Sequence, residues 1–210
     1  VFTTDVSDIK NNLYVPRYYW KKKIEHLEKE AEEQNLKFVE AKELIDKGII
    51  KVFRGHGSPP SEFKGRGEVP YIRADDIVGW EMYKSENTMI PMEVYKKVKG
   101  KKFDLKPKDI VFVKEGSYRI GSDAMVSPFD TEVLLNHHSF VFRVMKEDNE
   151  YGIDAFYLLY LFSHNLTQKQ LYNKIMIDTT LPNIADRWQE LYLPISKDKK
   201  VVKEIREKVK

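Results

Sequence analysis

Residues 49–77 read IIKVFRGHGSPPSEFKGRGEVPYIRADDI. An apolar run stops at a loop rich in Gly, Pro and basic side chains. A second apolar run restarts at Val69 and closes on Asp75 and Asp76. Both runs read as strands, because β-branched and aromatic residues fit a pleated, half-buried surface while Gly and Pro do not. Between Lys47 and Arg73 stand six basic residues and two acidic ones. A long cationic loop between two strands suits an anionic polymer backbone better than a small apolar ligand, which brings nucleic acid to mind first.

The pattern of short apolar runs and turn residues continues on the C-terminal side. Further strand candidates are 89–90, 110–113, 124–126, 133–135 and 140–145. They are separated by Lys99-Gly100, by KPKD at 106–109, by GSYRIG at 116–121 and by SPFD at 127–130. On the N-terminal side, residues 21–35 (KKKIEHLEKEAEEQN) read as a helix with Ile24, Leu27 and Ala31 on one face. Phe38-Val39 is a short strand, and 41–47 a short helix ended by Gly48. Residues 153–163 are apolar almost all round and read as a buried helix, followed by a second helix at 167–176 and a strand at 191–195. Residues 198–210 give a last helix whose seam of Val201, Val202, Ile205 and Val209 calls for a partner, in a longer chain or another subunit. A helix, then many strands, then helices is an α+β order: a short-stranded, mainly antiparallel twisted sheet flanked by helices.

Composition narrows the function. With 41% hydrophobic residues in 210, a sizeable core is available, and the formal charge is only +3. An anion site must therefore come from local clustering. Residues 95–119 supply a second cluster, with nine basic residues against three acidic. The absence of cysteine excludes disulfides and thiolate metal sites and suits a reducing, cytoplasmic setting. No apolar run approaches the ~18 residues of a membrane span, and residues 1–20 lack the apolar stretch of a signal peptide. The chain starts on Val and ends inside a charged helical pattern, so it is expected to come from a longer protein.

Several motifs fail on inspection. A Walker loop needs Gly-Lys-Ser/Thr before a helix, whereas Lys64-Gly65-Arg66 runs into a strand. No helix follows the glycines, which also excludes a dinucleotide fingerprint. Ser58-Pro59-Pro60 echoes the Asp/Asn/Ser-Pro-Pro-aromatic motif of DNA amino-methyltransferases, but the fourth residue is Ser61, so the prolines read as loop stiffeners. Asp75 and Asp76 point to opposite faces of a strand and read as a turn or helix cap. His137 and His138 lack companions for a zinc site and read as polar groups on a strand lip, or as packed structural histidines. No Ser/His/Asp constellation is evident from spacing.

These segments together resemble a known family. GHGSPPSEFKGRGEVPYIRADDI resembles the opening motif of the target-recognition domains of type I restriction–modification specificity subunits. LKPKDIVFVKEGSYRIG is similar to that family's Gly-Asp-Ile-Leu strand and Gly-rich loop, and LLNHHSFVFRV to its Asn-Gln-His strand. AFYLLYLFSHN and IDTTLPNIADRWQELYLPI are similar to its Tyr-Leu-rich helix, turn and closing strand. The likeness runs in order from Leu36 to Ile195. Departures fall at Ser58 in place of Thr, at His137 in place of Gln, and at 177–180, where many members have Gly-x-Thr-Gln. The segment NNLYVPRYYW resembles the lead-in of recognition domains fused behind an N6-adenine methyltransferase.

The resemblance implies sequence-specific recognition of double-stranded DNA, with catalysis elsewhere. Residues 1–196 would form the recognition domain, with 1–20 leading in and 21–35 helical. Residues 197–210 would begin a spacer or dimerisation helix. The expected contacts are Lys64, Arg66, Tyr71 and Arg73 from the first loop and strand, then Lys114, Ser117, Tyr118 and Arg119 from the second. Asn136, His137, His138, Thr179 and Thr180 complete the set. Arg73 and Arg119 suit guanine, whose O6 and N7 match an Arg fork, while lysines set affinity without sequence choice. The partners would be an adenine methyltransferase module or subunit and a restriction subunit, with no membrane. No cofactor is expected in this chain; S-adenosylmethionine and Mg²⁺ would belong to the partner or fused enzyme. A different class of reading is a protein-interaction module, in which the seam at 201–209 and the helix at 21–35 dock partners and the basic loops are incidental.

Overall fold

The structure, a computed structural model, describes residues 3–9, 13–116, 118–177 and 180–210. Helix α1 (Lys21–Glu33) leads into β1 (Leu36–Glu40), α2 (Ala41–Asp46) and β2 (Ile50–Arg54). After the cationic loop come the short strands β3 (Tyr71–Ile72), β4 (Ile77–Val78) and β5 (Glu81–Met82), and then α3 (Met92–Lys99). Strands β6 (Ile110–Val113), β7 (Asp123–Met125), β8 (Leu134–Leu135) and β9 (Ser139–Val144) follow. The chain closes through α4 (Ala155–Ser163), α5 (Asn165–Lys174), the small hairpin β10 (Met176–Ile177) and β11 (Pro182–Asn183), β12 (Tyr192–Ser196) and α6 (Lys199–Val209).

The centre is a four-stranded antiparallel sheet in the order β2–β9–β6–β7. Alternation of side chains gives it two buried faces. Ile110, Phe112, Phe140 and Phe142 point to one side, where α4 and Trp188 cover them. The rings of Phe142 and Phe162 lie 4.7 Å apart, and those of Phe142 and Trp188 4.8 Å apart. Val111, Val113 and Val141 point to the other side and meet Ile72, Ile77 and Leu135. A strand buried on both faces reads as a continuous apolar run, as IVFV does in β6. The β1–β12 pair is antiparallel, and β3–β8 is the parallel exception.

The fold class matches the α+β expectation, with corrections of detail. The strand expected at 69–73 shrinks to β3, with Val69 only bridging Ile90. Gly67 permits that approach, because a Cβ there would stand 2.0 Å from the Ile90 carbonyl carbon. Helix α3, whose last residues stand out in sequence only as basic, is bracketed by Pro91 and Gly100 (φ 54°), and its Val94 and Tyr95 bury against Tyr71 and Leu134. The seam at 201–209 finds cover inside the chain: Val202 is buried, and Ile205 and Val209 pack on the core. Arg206 Nε also donates to Asp154 Oδ2 at 2.6 Å. Only Val201 of that seam is left exposed.

Candidate nucleic-acid interface

Antiparallel register decides where the basic loops go. Arg54 at the end of β2 faces Phe140, and Val113 at the end of β6 faces Ser139. The exits of β2 and β6 and the start of β9 therefore share one edge of the sheet. The loop at 55–70, the loop at 114–122 and the turn at 136–138 emerge there together. Asn136 N donates to Ile72 O at 2.9 Å, which brings the turn after β3 to the same edge. Gly116 N donates to Pro182 O and Ile184 N to Lys114 O, which adds the β10–β11 hairpin. A Cβ on Gly116 would stand 3.8 Å from Ala74 Cβ, so the second loop abuts the turn at 74–76.

The first loop is pinned at its root. Gly55 N donates to Ser139 O and Gly57 N to Leu135 O. Gly55 has to lack a side chain, since a Cβ there would lie 2.0 Å from Asn136 O. His56 is buried, and its Nδ1 accepts from Leu135 N at 3.2 Å, which places the proton on Nε2, facing Phe103 O at 3.2 Å. Burial pushes the His56 imidazolium down to a pKa of about 4, so the ring stays neutral and structural. Lys102 Nζ donates to His56 O. Further out, Gly65 N and Arg66 N both donate to Met89 O.

At the centre of the edge runs a chain of polar contacts. Asn136 Nδ2 donates to the Tyr71 hydroxyl at 2.7 Å, Tyr71 donates to Ser58 Oγ at 3.1 Å, and Ser58 Oγ lies 3.1 Å from His137 Nδ1. Asn136 Oδ1 accepts from His138 N at 2.9 Å. The His137 and His138 rings lie 4.1 Å apart. Burial, then the neighbouring His138, holds the His137 pKa below the ordinary imidazole value. A Ser–His contact invites a nucleophilic reading, but Ser58 meets Nδ1 and no described carboxylate orients the other nitrogen. Its work is to aim His137 outward. In sequence Ser58 is only part of a stiffened loop, because its contact with His137 spans 79 residues and no local pattern reveals it.

The expected site residues divide accordingly. Lys64 and Arg66 are exposed on the first loop, with Lys64 Nζ 5.6 Å from the Tyr71 ring centroid. Tyr118 is 79% exposed, and Arg119 Cζ lies 5.0 Å from the Tyr118 ring centroid. His137 and Thr180 are exposed at the same edge. Ser117 and Thr179 lie outside the described residues. Tyr71 and Asn136 are buried, at 2% and 9% exposure, and bond to each other beneath that surface. Arg73 is engaged from within, since Nε and Nη2 donate to the two Asp76 carboxylate oxygens at 3.0 and 3.1 Å. That bond belongs to the turn in which Asp76 Oδ2 also accepts from Arg73 N, the cap anticipated for the Asp pair. Lys114 is largely covered, with Nζ 3.6 Å from Glu115 Oε2 and 5.4 Å from the Phe140 ring centroid. Glu115 also faces His138 Nδ1 at 3.3 Å. Among the described residues, no cluster of three or more His, Asp or Glu is placed to hold a metal ion, and no helix is long and apolar enough to cross a membrane.

Solved structures share this fold. The S subunit of the type I restriction-modification system from M. genitalium superposes with a TM-score of 0.53 at 14% identity, over 83% of this chain and 38% of that one. The HsdS subunit from Thermoanaerobacter tengcongensis gives 0.52 at 14%, over 92% and 44%. The type IIG restriction endonuclease BpuSI gives 0.54 at 10%, over 93% and 28%. No family model matches the chain, and no curated protein sequence matches it. At these identities the likeness is one of fold, and the chain spans less than half the length of each structure. The class defined is thus an α+β domain with the fold of restriction–modification specificity subunits. Within that class, similar structures include the S subunits of type I systems and a type IIG enzyme.

Proposed function

We propose that this chain is a double-stranded DNA recognition domain of a restriction–modification system, directing an adenine methyltransferase and restriction activity carried elsewhere, fused or as subunits. The observation that carries the reading is the gathering of both cationic loops, the His137–His138 turn and the hairpin carrying Thr180 at one edge of the sheet. Exposed Lys64 and Arg66 would hold phosphates, Arg119 and His137 would reach base edges, and the chain from buried Asn136 and Tyr71 out to exposed Ser58 would keep the reading groups in register. The fold shared with S subunits supports the same reading.

No catalysis is assigned to this chain, and S-adenosylmethionine and Mg²⁺ would serve the partner enzyme. The interaction-module reading loses one of its two docking faces, because the α6 seam is mostly used internally. A spacer beginning at 197–210 would have to use the remaining face, on which Val201 is 40% exposed. Selection of bound duplexes from a random pool tests the proposal. A defined consensus supports it, and recovery of unselected sequences contradicts it.

A further inference from the structure

Beside the second loop lies an open concavity of about 260 Å³ that the reading above leaves unused. Buried Ile120, Gly121 and Asp123 make its floor, and exposed Trp80 and Tyr118 its rim. Ser163 and Gln168 complete one wall. Trp80 Nε1 donates to Ser163 Oγ at 2.7 Å, and Ser163 Oγ donates to Asp123 Oδ1 at 2.7 Å. Asp123 is 4% exposed, and its Oδ2 has no hydrogen-bond partner among the described residues. Gln168 Nε2 donates to Gly121 O at 3.0 Å and to Phe162 O at 2.8 Å. The floor therefore offers one buried acceptor, Asp123 Oδ2, without a donor among the described residues. Leaving a buried acceptor unmet costs about 1–3 kcal/mol, so a site that keeps one has a donor to receive.

The rim carries a second cost. Trp80 sits in the two-residue turn between β4 and β5 at φ 71°, after Gly79 at φ 57°. Both values are positive, and such turns normally take Asn-Gly or Gly-Gly. A tryptophan there costs about 1–2 kcal/mol of backbone strain. Strain of this kind persists where the surroundings hold a side chain for a purpose. Here the holding contacts are the indole bond to Ser163 and the donation of Met125 N to Trp80 O. The result is an aromatic face fixed beside the Asp123 acceptor.

We propose that this concavity receives a single nucleobase lifted out of the stack, its exocyclic amino group turned to Asp123 and Gln168 and its ring against Trp80. An aromatic face and a carboxylate that accepts from an amino group are what an unstacked adenine or cytosine requires. The proposal rests on the nucleic-acid reading above and assigns it a further subsite. Asp123, Gln168 and Trp80 are the specificity-determining residues of that subsite.

The indole N–H resonance of Trp80, assigned with Trp80→Phe, reports on the pocket. At about pH 8, above the Asp123 pKa of about 7 so that the carboxylate can accept, adenosine is titrated against inosine, and cytidine against uridine, each pair differing in the amino group that becomes a carbonyl. A saturable Trp80 shift with adenosine or cytidine, at least about tenfold tighter than with the oxo partner, is expected. Asp123→Asn, with the Trp188 resonance in place to report folding, removes the preference; Gln168→Ala weakens it independently. No saturable shift, equal shifts within each pair, or a preference intact in both variants overturns the proposal. A second comparison sets a duplex with a single-adenine bulge against the fully paired duplex. The bulge is expected to bind about tenfold tighter, since its base is already unpaired; equal affinity overturns the claim that the base comes from bound DNA. Duplex binding with no response at Trp80 overturns the pocket alone. Nucleoside binding with no duplex binding at low salt overturns the DNA reading and leaves a free-nucleoside site.

Discussion

Asn136 Nδ2 and the Tyr71 hydroxyl meet at 2.7 Å, joining positions 65 residues apart at the centre of the proposed interface. Both groups are buried, so the bond braces that surface from beneath. Tyr71→Phe keeps the ring and strands the Asn136 amide. The expected loss is about 1–3 kcal/mol of unfolding free energy, measured by urea denaturation. As an internal brace, Tyr71 should leave the salt slope unchanged while duplex affinity falls when it is replaced. An altered slope would put Tyr71 in direct contact with the backbone.

Arg119 and the pair Lys64 and Arg66 should fail in different ways. Arg119→Ala is expected to cost about 1–3 kcal/mol at one base position and to relax the consensus there. Lys64→Ala and Arg66→Ala should weaken all duplexes alike, each lowering the salt slope by about one. Sequence selection on each variant separates the two roles. A consensus unchanged by Arg119→Ala removes Arg119 from base reading.

The pair of Arg143 and Asp109 tests the frame that carries the loops. Arg143 Nε and Nη2 donate to the two Asp109 oxygens at 2.7 Å each, and Asp109 is almost wholly buried. Removing one partner of a buried pair leaves an uncompensated charge, so Arg143→Met should cost about 3–5 kcal/mol. Asp109 Oδ2 also accepts from Lys106 N, so the turn at 106–109 should loosen with it. Thermal denaturation and hydrogen exchange at 106–109 give the two readings.

Much of this was legible in the sequence because it was periodic or local. The seam of Leu27 and Ala31, the Gly48 stop of α2 and the apolar run of β6 each carry their own signal, and so does the Asp76 cap. What was not legible depended on partners far along the chain. Tyr71 and Asn136 look like surface polar residues until the parallel pairing of β3 with β8 buries them. Arg73 looks free until Asp76 turns back on it. The α6 stripe looks like an external seam until α4 arrives beneath it. In the pocket, Asp123 and Ser163 stand 40 residues apart in sequence, and neither carries a motif.

Burial raises the Asp123 pKa from the ordinary carboxylate value of about 3.9 to about 7, with the Ser163 hydroxyl opposing the rise. The folded chain thus binds more protons than the unfolded chain between those values. Stability should therefore fall as pH rises from about 4 to about 7, by on the order of 1 kcal/mol per unit at most, and level off above. Asp123→Asn removes that slope. Denaturation midpoints for both proteins across this window give the difference, and parallel curves would show that Asp123 does not titrate there.

The central claim is that the gathered loops bind duplex DNA through its phosphates. Its most direct test is the affinity for a random-sequence duplex, by fluorescence anisotropy, from about 50 to about 200 mM salt. Binding at low salt is predicted, with log affinity falling linearly against log salt by about 0.9 for each phosphate neutralised. The Lys64→Ala, Arg66→Ala double variant should flatten that line by about two. No binding at the lowest salt, or an affinity indifferent to salt and to the double variant, would contradict the account.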